Sequence, residues 1–198
     1  MHAEAPTGQA LGRPIVPSRV NSGAPWVTYA LTSVATGIAA VAGARAVDPD
    51  SAWYRGLAKP PWQPPPRAFG MIWTPLYASI AWAGGHALRR ASGRQRNALI
   101  ASLAANLTLN AAWNWMFFGL RSPGAGLAGT VLLDISNARL IRRATRTDPP
   151  AAAALVPCAL WCAFATILNA DIARRNTSVL NARRRLREVG RVYVPVPG

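Results

Sequence analysis

The residues best able to do chemistry in this sequence are aromatic and amide side chains, not acid–base pairs or metal ligands. Eight tryptophans occur in 198 residues, against two histidines and two cysteines. Cys158 and Cys162 lie four residues apart in an apolar run with no histidine beside them, so we expect no metal site. The pattern favours non-covalent binding of a flat, largely apolar ligand, because indole rings recognise such molecules by stacking and edge contacts.

A row of amides marks one apolar segment. Asn106, Asn110 and Asn114 recur every four residues, and Trp113 and Phe117 share a helical face with the first two. Two interpretations are open. The amides either hydrogen-bond between helices, contributing about 0.6–2 kcal/mol each in a membrane, or face a cavity and donate to a ligand. We favour the cavity for Asn106 and Asn110.

Asp134 lies midway along another apolar segment, where an ionisable group is costly unless it is paired or neutral. Its carboxyl group either hydrogen-bonds to the asparagine row or contacts a ligand, and we weigh the two roles equally. Asp171 differs, because it lies at a segment end beside Arg174 and Arg175. That position favours a local ion pair.

These side chains are organised by the stretch from Trp53 to Pro65, which holds two tryptophans, a tyrosine and four prolines. Because proline fixes φ and removes a donor, we expect a stiff loop, not a helix or a flexible spacer. The apolar segment that follows carries Phe69, Trp73 and Tyr77 at a spacing of four residues. We interpret the loop as a lid over a pocket at membrane depth.

The elements that must position these residues are apolar runs separated by arginines. The chain is 51% hydrophobic yet carries a formal net charge of +15, a combination that suits charges placed between membrane spans. Each run is close to the ~20 residues that cross a ~30 Å hydrocarbon core. The sequence predicts an all-α membrane protein, a bundle of five transmembrane helices with the proline/tryptophan-rich loop between helices one and two. The five runs are 26–44, 68–88, 97–120, 122–138 and 151–170.

The domain organisation follows from the same boundaries. Residues 1–25 are expected to be disordered, residues 26–176 to form the five-helix domain, and residues 177–198 to form a basic C-terminal tail. The first 25 residues have no apolar core of a signal peptide, so the first helix is expected to act as an uncleaved insertion signal. Arginine clusters in the tail favour anionic lipid or a partner, and no nucleic-acid partner is expected. Their position just after a span favours a cytoplasmic C-terminus.

These motifs resemble the TspO family, the tryptophan-rich sensory or translocator proteins, known in animals as the peripheral benzodiazepine receptor. The resemblance runs from the first helix to Asn176. It is carried by Trp53-Tyr54…Leu57…Lys59-Pro60…Trp62…Pro64-Pro65, Trp73…Leu76-Tyr77, Leu109-Asn110…Trp113…Phe117-Phe118-Gly119 and Pro157…Trp161…Phe164-Ala165…Leu168-Asn169…Asn176. Several motifs in one order are far more specific than any of them alone.

The resemblance implies a homodimeric five-helix bundle whose pocket, capped by the first loop, binds protoporphyrin, haem, sterols and benzodiazepine-like ligands. No covalently bound or required cofactor is implied; the porphyrin is the ligand. Asn106 stands where many bacterial members have glutamine, and Cys158 replaces a tyrosine. The pocket residues that the resemblance implies are Trp53, Tyr54, Pro60, Trp62, Trp73, Tyr77, Asn106, Asn110, Trp113, Asp134, Trp161 and Ala165.

Three functions are compared. The leading one is a multi-pass receptor or transporter-like protein of the bacterial cell membrane that binds tetrapyrroles and has a sensory, stress-regulatory role. The second, implied by the family, is light- or oxygen-dependent porphyrin breakdown, with Trp73 and Trp161 stabilising radicals. No acid–base pair or nucleophile supports this enzyme. The third is a membrane scaffold that acts through its basic tail. Sterol binding is not favoured, because the end of the fifth helix lacks the tyrosine of the animal cholesterol pattern.

Overall fold

A computed structural model describes the backbone of residues 25–192 and the side chains of residues 25–177. In this part of the chain every regular element is helical, which confirms the all-α fold. Five long helices correspond to the five apolar runs, and a short sixth one lies in the first loop. The α-helices are α1 (Pro25–Ala44), α2 (Ala52–Arg55), α3 (Pro66–Arg90), α4 (Gly93–Asn114), α5 (Pro123–Thr145) and α6 (Pro149–Val192).

The helix boundaries follow local capping chemistry. Pro66 and Pro123 occupy the first turns of α3 and α5, where a missing N–H costs nothing. Ser122 Oγ accepts a hydrogen bond from Ala125 N–H at 3.2 Å, and Asp148 Oδ1 accepts one from Ala151 N–H at 3.4 Å at the start of α6. These acceptors satisfy amides that a helix N-terminus leaves unpaired.

Small residues let α1 and α3 approach closely at one end. Thr32 Oγ1 donates to the Ala81 carbonyl oxygen at 2.8 Å, which links the two helices. A Cβ atom on Gly85 would lie 2.5 Å from Tyr29 Cδ1, so only glycine fits there. Close approach of this kind is how helices associate in lipid, where burial from water provides no drive. Other contacts pack α5 against α6, α3 against α6, and α4 against both α1 and α5.

By length and composition, two helices of the described part can cross a membrane, at Pro25–Ala44 and Pro149–Thr177. Both correspond to predicted spans. The outward face of α1 is apolar, which suits contact with lipid, and it exposes Trp26, Leu31, Val34, Ile38 and Val41. The asparagines of α4 and the terminal arginines of α3, α4 and α5 lower the hydropathy of the other long helices.

Two boundaries differ from the prediction. The loop contains one helical turn, α2, where Ser51 Oγ accepts from Tyr54 N–H at 3.3 Å, so the expectation of a loop without helix is corrected at these four residues. The helix α6 continues to Val192, because good helix formers follow residue 176 and the next proline is Pro195. The predicted disorder of residues 1–25 concerns residues 1–24, which lie outside the described part, and Pro25, which begins α1.

Candidate functional site

A cavity of about 430 Å³ lies between the first loop and helices α1, α3, α4 and α6. Its volume is in the range of small-molecule sites, roughly 300–1,000 Å³. No described residue that lines it is charged, and none comes from α5. Gln63, Asn114 and Asn169 supply polar groups. Seven aromatic side chains line it, namely Tyr54, Phe69, Trp73, Tyr77, Trp113, Phe117 and Phe118.

A π-helical turn, Trp115–Gly119, continues α4 and brings two of these rings together. It is closed by a hydrogen bond from Leu120 N–H to the Trp115 carbonyl oxygen at 2.8 Å. The wider turn changes the helical register, so the consecutive residues Phe117 and Phe118 both line the cavity. Their rings meet edge to face with centroids 4.9 Å apart.

Glycines of α5 make room for these aromatics. A Cβ atom on Gly126 would lie 2.5 Å from Phe117 Cδ2 and 3.0 Å from Asn169 Oδ1. On Gly129, one turn later, it would lie 3.2 Å from Trp113 Cδ1. The cavity wall therefore depends on α5 although α5 does not line the cavity.

The loop side of the cavity is built around Tyr54. Gln63 Nε2 donates to the Tyr54 hydroxyl oxygen at 3.0 Å, and Lys59 Nζ lies 3.9 Å from the centroid of the Tyr54 ring. Burial raises the pKa of Tyr54, an effect that the Gln63 hydrogen bond partly opposes. Burial also lowers the pKa of Lys59. A cation and a phenol hydroxyl thus lie together at the edge of an otherwise apolar site.

The structure brings five of the twelve sequence-predicted site residues to the cavity surface. They come from the loop and from three helices, so the convergence of separate elements on one cavity is observed. Whether these side chains bind a ligand stays a prediction. The five are Tyr54, Trp73, Tyr77, Trp113 and Ala165.

Three of the predicted tryptophans do not line the cavity. Trp53 packs edge-on to Phe117 with centroids 5.5 Å apart. Trp161 stacks on Phe164 at 5.1 Å, and Trp62 meets the same ring edge-on at 5.8 Å. Pro60, also predicted, is buried in the loop and its carbonyl oxygen accepts from Gln63 N–H at 3.1 Å. None of these four residues lines the cavity. Trp53 packs on the lining ring of Phe117, and Trp161 packs on the lining ring of Phe69 at 5.8 Å, whereas Trp62 is 44% exposed.

Asn106 and Asn110 are buried between helices. Asn106 Nδ2 donates to Asn137 Oδ1 at 2.7 Å, and Asn110 Nδ2 donates to Asn106 Oδ1 at 3.1 Å. Neither amide lines the cavity, contrary to the expectation. Asn106 supports the interhelical interpretation through Asn137 of α5, whereas the bonds of Asn110 stay within α4. Asn114, one turn further along, lines the cavity instead.

Asp134 also lies outside the cavity. Its Oδ2 accepts a hydrogen bond from Thr166 Oγ1 at 2.6 Å, which links α5 to α6. Its hydrogen-bond partner is thus Thr166 and not the asparagine row that was expected. Contact of this carboxyl group with a ligand stays a prediction. The local ion pair expected for Asp171 is observed, with Arg174 at 2.9 Å and Arg175 at 3.1 Å.

Sequence reasoning did not select several lining residues. Asn114 continues the four-residue spacing of Asn106 and Asn110, and this spacing was the sequence signal for a polar group at the cavity. Phe117 and Phe118 were visible as an aromatic pair, but their joint exposure to the cavity depends on the π-helical turn. Gln63 and Asn169 carried no signal beyond their place in the motifs.

A second polar cluster lies at the other end of α3. His86 Nδ1 contacts the carboxylate of Asp148, which is 1% exposed, and Arg90 Nη1 lies 3.1 Å from Asp148 Oδ2. Trp82 stacks on the His86 ring with centroids 4.5 Å apart. His86 therefore joins α3 to the start of α6. Across residues 25–177 no group of three or more metal-ligating side chains occurs.

Comparisons with known proteins agree with this architecture. The chain is 36% identical over 131 residues to the tryptophan-rich protein TspO of Chlorobaculum tepidum, covering 65% of this chain and 82% of that one. It is 31% identical over 163 residues to the translocator protein of Homo sapiens, covering 81% and 96%. It is 32% identical over 158 residues to the tryptophan-rich sensory protein of Cereibacter sphaeroides, covering 80% and 97%.

A family model, the TspO/MBR family, matches residues 27–175, which include the first loop, α3, α4 and α5 whole, nearly all of α1, and α6 as far as residue 175. The match thus spans every element that builds the cavity. This chain belongs to the TspO/MBR family of helical membrane proteins.

Proposed function

We propose that this protein, as a sensory or translocator member of its family, binds tetrapyrroles such as protoporphyrin and haem in the aromatic cavity. We further propose that it does so as a multi-pass homodimer in a bacterial cell membrane. The observation that carries the proposal is the cavity itself, which combines a volume of about 430 Å³ with seven aromatic rings. Flat conjugated ligands gain stacking and edge contacts from such a lining.

The charge distribution supports a ligand with an apolar ring and an acidic edge. The lining offers no cation within the described residues, so a carboxylate deep in the cavity would lose its hydration without compensation. Lys59 lies on the loop, over the ring of Tyr54. In the proposed pose the ring system lies against Trp73 and Phe117, and the carboxylates remain at the loop edge.

The test is a titration of purified protein with protoporphyrin, followed by quenching of tryptophan fluorescence in the dark and without oxygen. These conditions measure binding apart from any light-dependent breakdown. Trp73→Leu removes a lining ring and is expected to weaken affinity by about tenfold or more, consistent with the 1–3 kcal/mol of a stacked aromatic.

The matched control is Trp82→Leu, which removes a tryptophan of the same helix that stacks on His86, away from the cavity. Its affinity is expected to equal that of the parent. Unsaturable quenching in the parent, or equal losses in the two variants, would contradict the proposal.

A further inference from the structure

The first loop is attached to the bundle by very few directional contacts. Asn176 Oδ1 accepts a hydrogen bond from Ala58 N–H at 3.1 Å, and Asn176 Nδ2 donates to the Ala58 carbonyl oxygen at 3.1 Å. At its two ends the loop bonds to the adjoining helix residues, from Val47 N–H to the Ala44 carbonyl oxygen at 3.1 Å and from Ala68 N–H to the Pro65 carbonyl oxygen at 2.9 Å. Between these ends, the two Ala58 bonds join the loop to a helix distant in sequence. Both come from one side chain of α6.

The other contacts of the loop are ring packing. Trp53 and Tyr54 lie against Phe117 and Phe118, and Trp62 lies against Phe164. Ring contacts of this kind tolerate sliding and tilting, whereas a paired donor and acceptor require one position. The prolines of the loop have no N–H group, so the loop has few other backbone donors that could bond to the helices.

We propose that Asn176 is the positioning residue that holds the loop closed over the cavity and sets the rate at which a bound ligand leaves. The inference rests on the proposed function for the identity of the ligand. Residues 47–65 supply Val47, Pro49, Tyr54 and Gln63 to the cavity wall, so displacement of the loop opens the cavity to water. Asn176 thereby acts on the ligand through Ala58 and does not need to touch it.

The amide is suited to this role by its chemistry and its orientation. Pairing with both the N–H and the C=O group of one residue requires an acceptor and a donor on the same side chain, which asparagine has. A further bond from Nδ2 to the Ile172 carbonyl oxygen at 2.8 Å fixes the amide on α6. Aspartate in place of Asn176 keeps the acceptor, loses the donor and places a negative charge against the carbonyl oxygens of Ala58 and Ile172. Leucine has a similar size but neither a donor nor an acceptor.

The first experiment measures the rate of protoporphyrin release. The protoporphyrin-loaded protein is mixed in a stopped-flow instrument with an excess of a second, porphyrin-free protein that captures the released protoporphyrin. Asn176→Leu and Asn176→Asp are each expected to raise the dissociation rate about tenfold. The association rate should rise as well, because the closed loop obstructs both directions, so the dissociation constant should change less than the dissociation rate. Thr177→Ala is the control, since Thr177 Oγ1 donates to the Ala173 carbonyl oxygen of its own helix, and its rates should match the parent.

The second experiment needs no ligand. Hydrogen exchange of the Ala58 amide in detergent-solubilised protein is expected to be slow in the parent and in Thr177→Ala, and at least tenfold faster in Asn176→Leu. Exchange in α4 should stay unchanged, which separates loop release from general unfolding.

Both results are required. Release at the parent rate despite a freely exchanging Ala58 amide would overturn the proposal by showing that ligand leaves by another route. A protected Ala58 amide in Asn176→Leu would overturn the attachment itself. If protoporphyrin does not bind the parent, the proposed function fails, and the exchange measurement still decides whether Asn176 holds the loop.

Discussion

Asn106 Nδ2 donates a hydrogen bond to Asn137 Oδ1 at 2.7 Å and joins α4 to α5 at a fully buried position. Asn106 Oδ1 in turn accepts from Asn110 Nδ2 at 3.1 Å. Asn106 thus connects α4 to α5 within the core, Asn110 bonds within α4, and Asn114, the last member of the amide row, lines the cavity. This connection separates residues that stabilise the bundle from residues that are expected to bind.

Asn106→Leu is expected to lower the free energy of unfolding by about 1–3 kcal/mol, because Asn137 Oδ1 is left buried without a donor. Protoporphyrin affinity should be nearly unchanged. Unfolding in mixed micelles measures the first effect and fluorescence quenching the second. The double variant Asn106→Leu with Asn137→Leu should lose less stability than the sum of the two single losses. Lost affinity at full stability would instead show that Asn106 contacts the ligand.

Gly126→Ala is expected to destabilise the protein by about 1–3 kcal/mol, the usual range for overpacking. Its Cβ would lie 2.5 Å from Phe117 Cδ2, so the Phe117 ring, which lines the cavity, must shift. Porphyrin affinity should therefore fall as well. The control is Gly124→Ala on the same helix, where the nearest atom is Ser122 Oγ at 4.0 Å. That variant should keep parental affinity and stability, or gain up to about 1 kcal/mol. A tolerated Gly126→Ala would contradict the packing described for Phe117.

Lys59 is the single lysine of the chain, so its amine can be followed by selective labelling. Burial lowers the pKa of Lys59 below the ordinary 10.5. Because the neutral amine is the reactive form, labelling should accelerate at lower pH than in an acetylated peptide of residues 55–63. Labelling rates between neutral and alkaline pH, read by mass spectrometry, measure this difference. A midpoint at or above that of the peptide would show that the amine is not buried against Tyr54.

Asp148→Leu tests the cluster at the far end of α3. The change removes the partner of His86 and Arg90 and the acceptor for Ala151 N–H. Stability is expected to fall by about 1–3 kcal/mol, the scale of hydrogen bonds to charged groups, with the Arg90 contribution reduced because its side chain is 52% exposed. Protoporphyrin affinity should not change, since the cluster lies away from the cavity. If protoporphyrin affinity fell together with stability, the prediction would be wrong and the two ends of the bundle would be energetically coupled.

The number and approximate placement of the long helices could be predicted from the sequence, because apolar runs alternate with arginines and turn residues. Ser122-Pro123-Gly124 and Asp148-Pro149-Pro150 end one helix and begin the next, and the structure turns at both. The helical turn α2 was missed, because the prolines that follow it dominated the pattern. The fifth apolar run ends at residue 170, where charged residues begin, but charge does not end a helix, and α6 continues to Val192.

The site could be predicted only in part, and the reason is physical. A four-residue period places Asn106, Asn110 and Asn114 on one face of α4, but it does not reveal which neighbour each amide meets. The neighbour changes along the helix, from α5 at Asn106 to the cavity at Asn114. The π-helical turn then shifts the register before Phe117 and Phe118. No hydrophobic period encodes that shift.

The most direct test of the central claim is a structure of the protein with protoporphyrin bound in a lipid bilayer. We expect density for the ring inside the cavity, against Trp73 and Phe117, with its carboxylates toward Lys59 and the loop. Ring density on a lipid-facing surface, with the cavity unchanged and the rings of Trp73 and Phe117 untouched, would contradict the account.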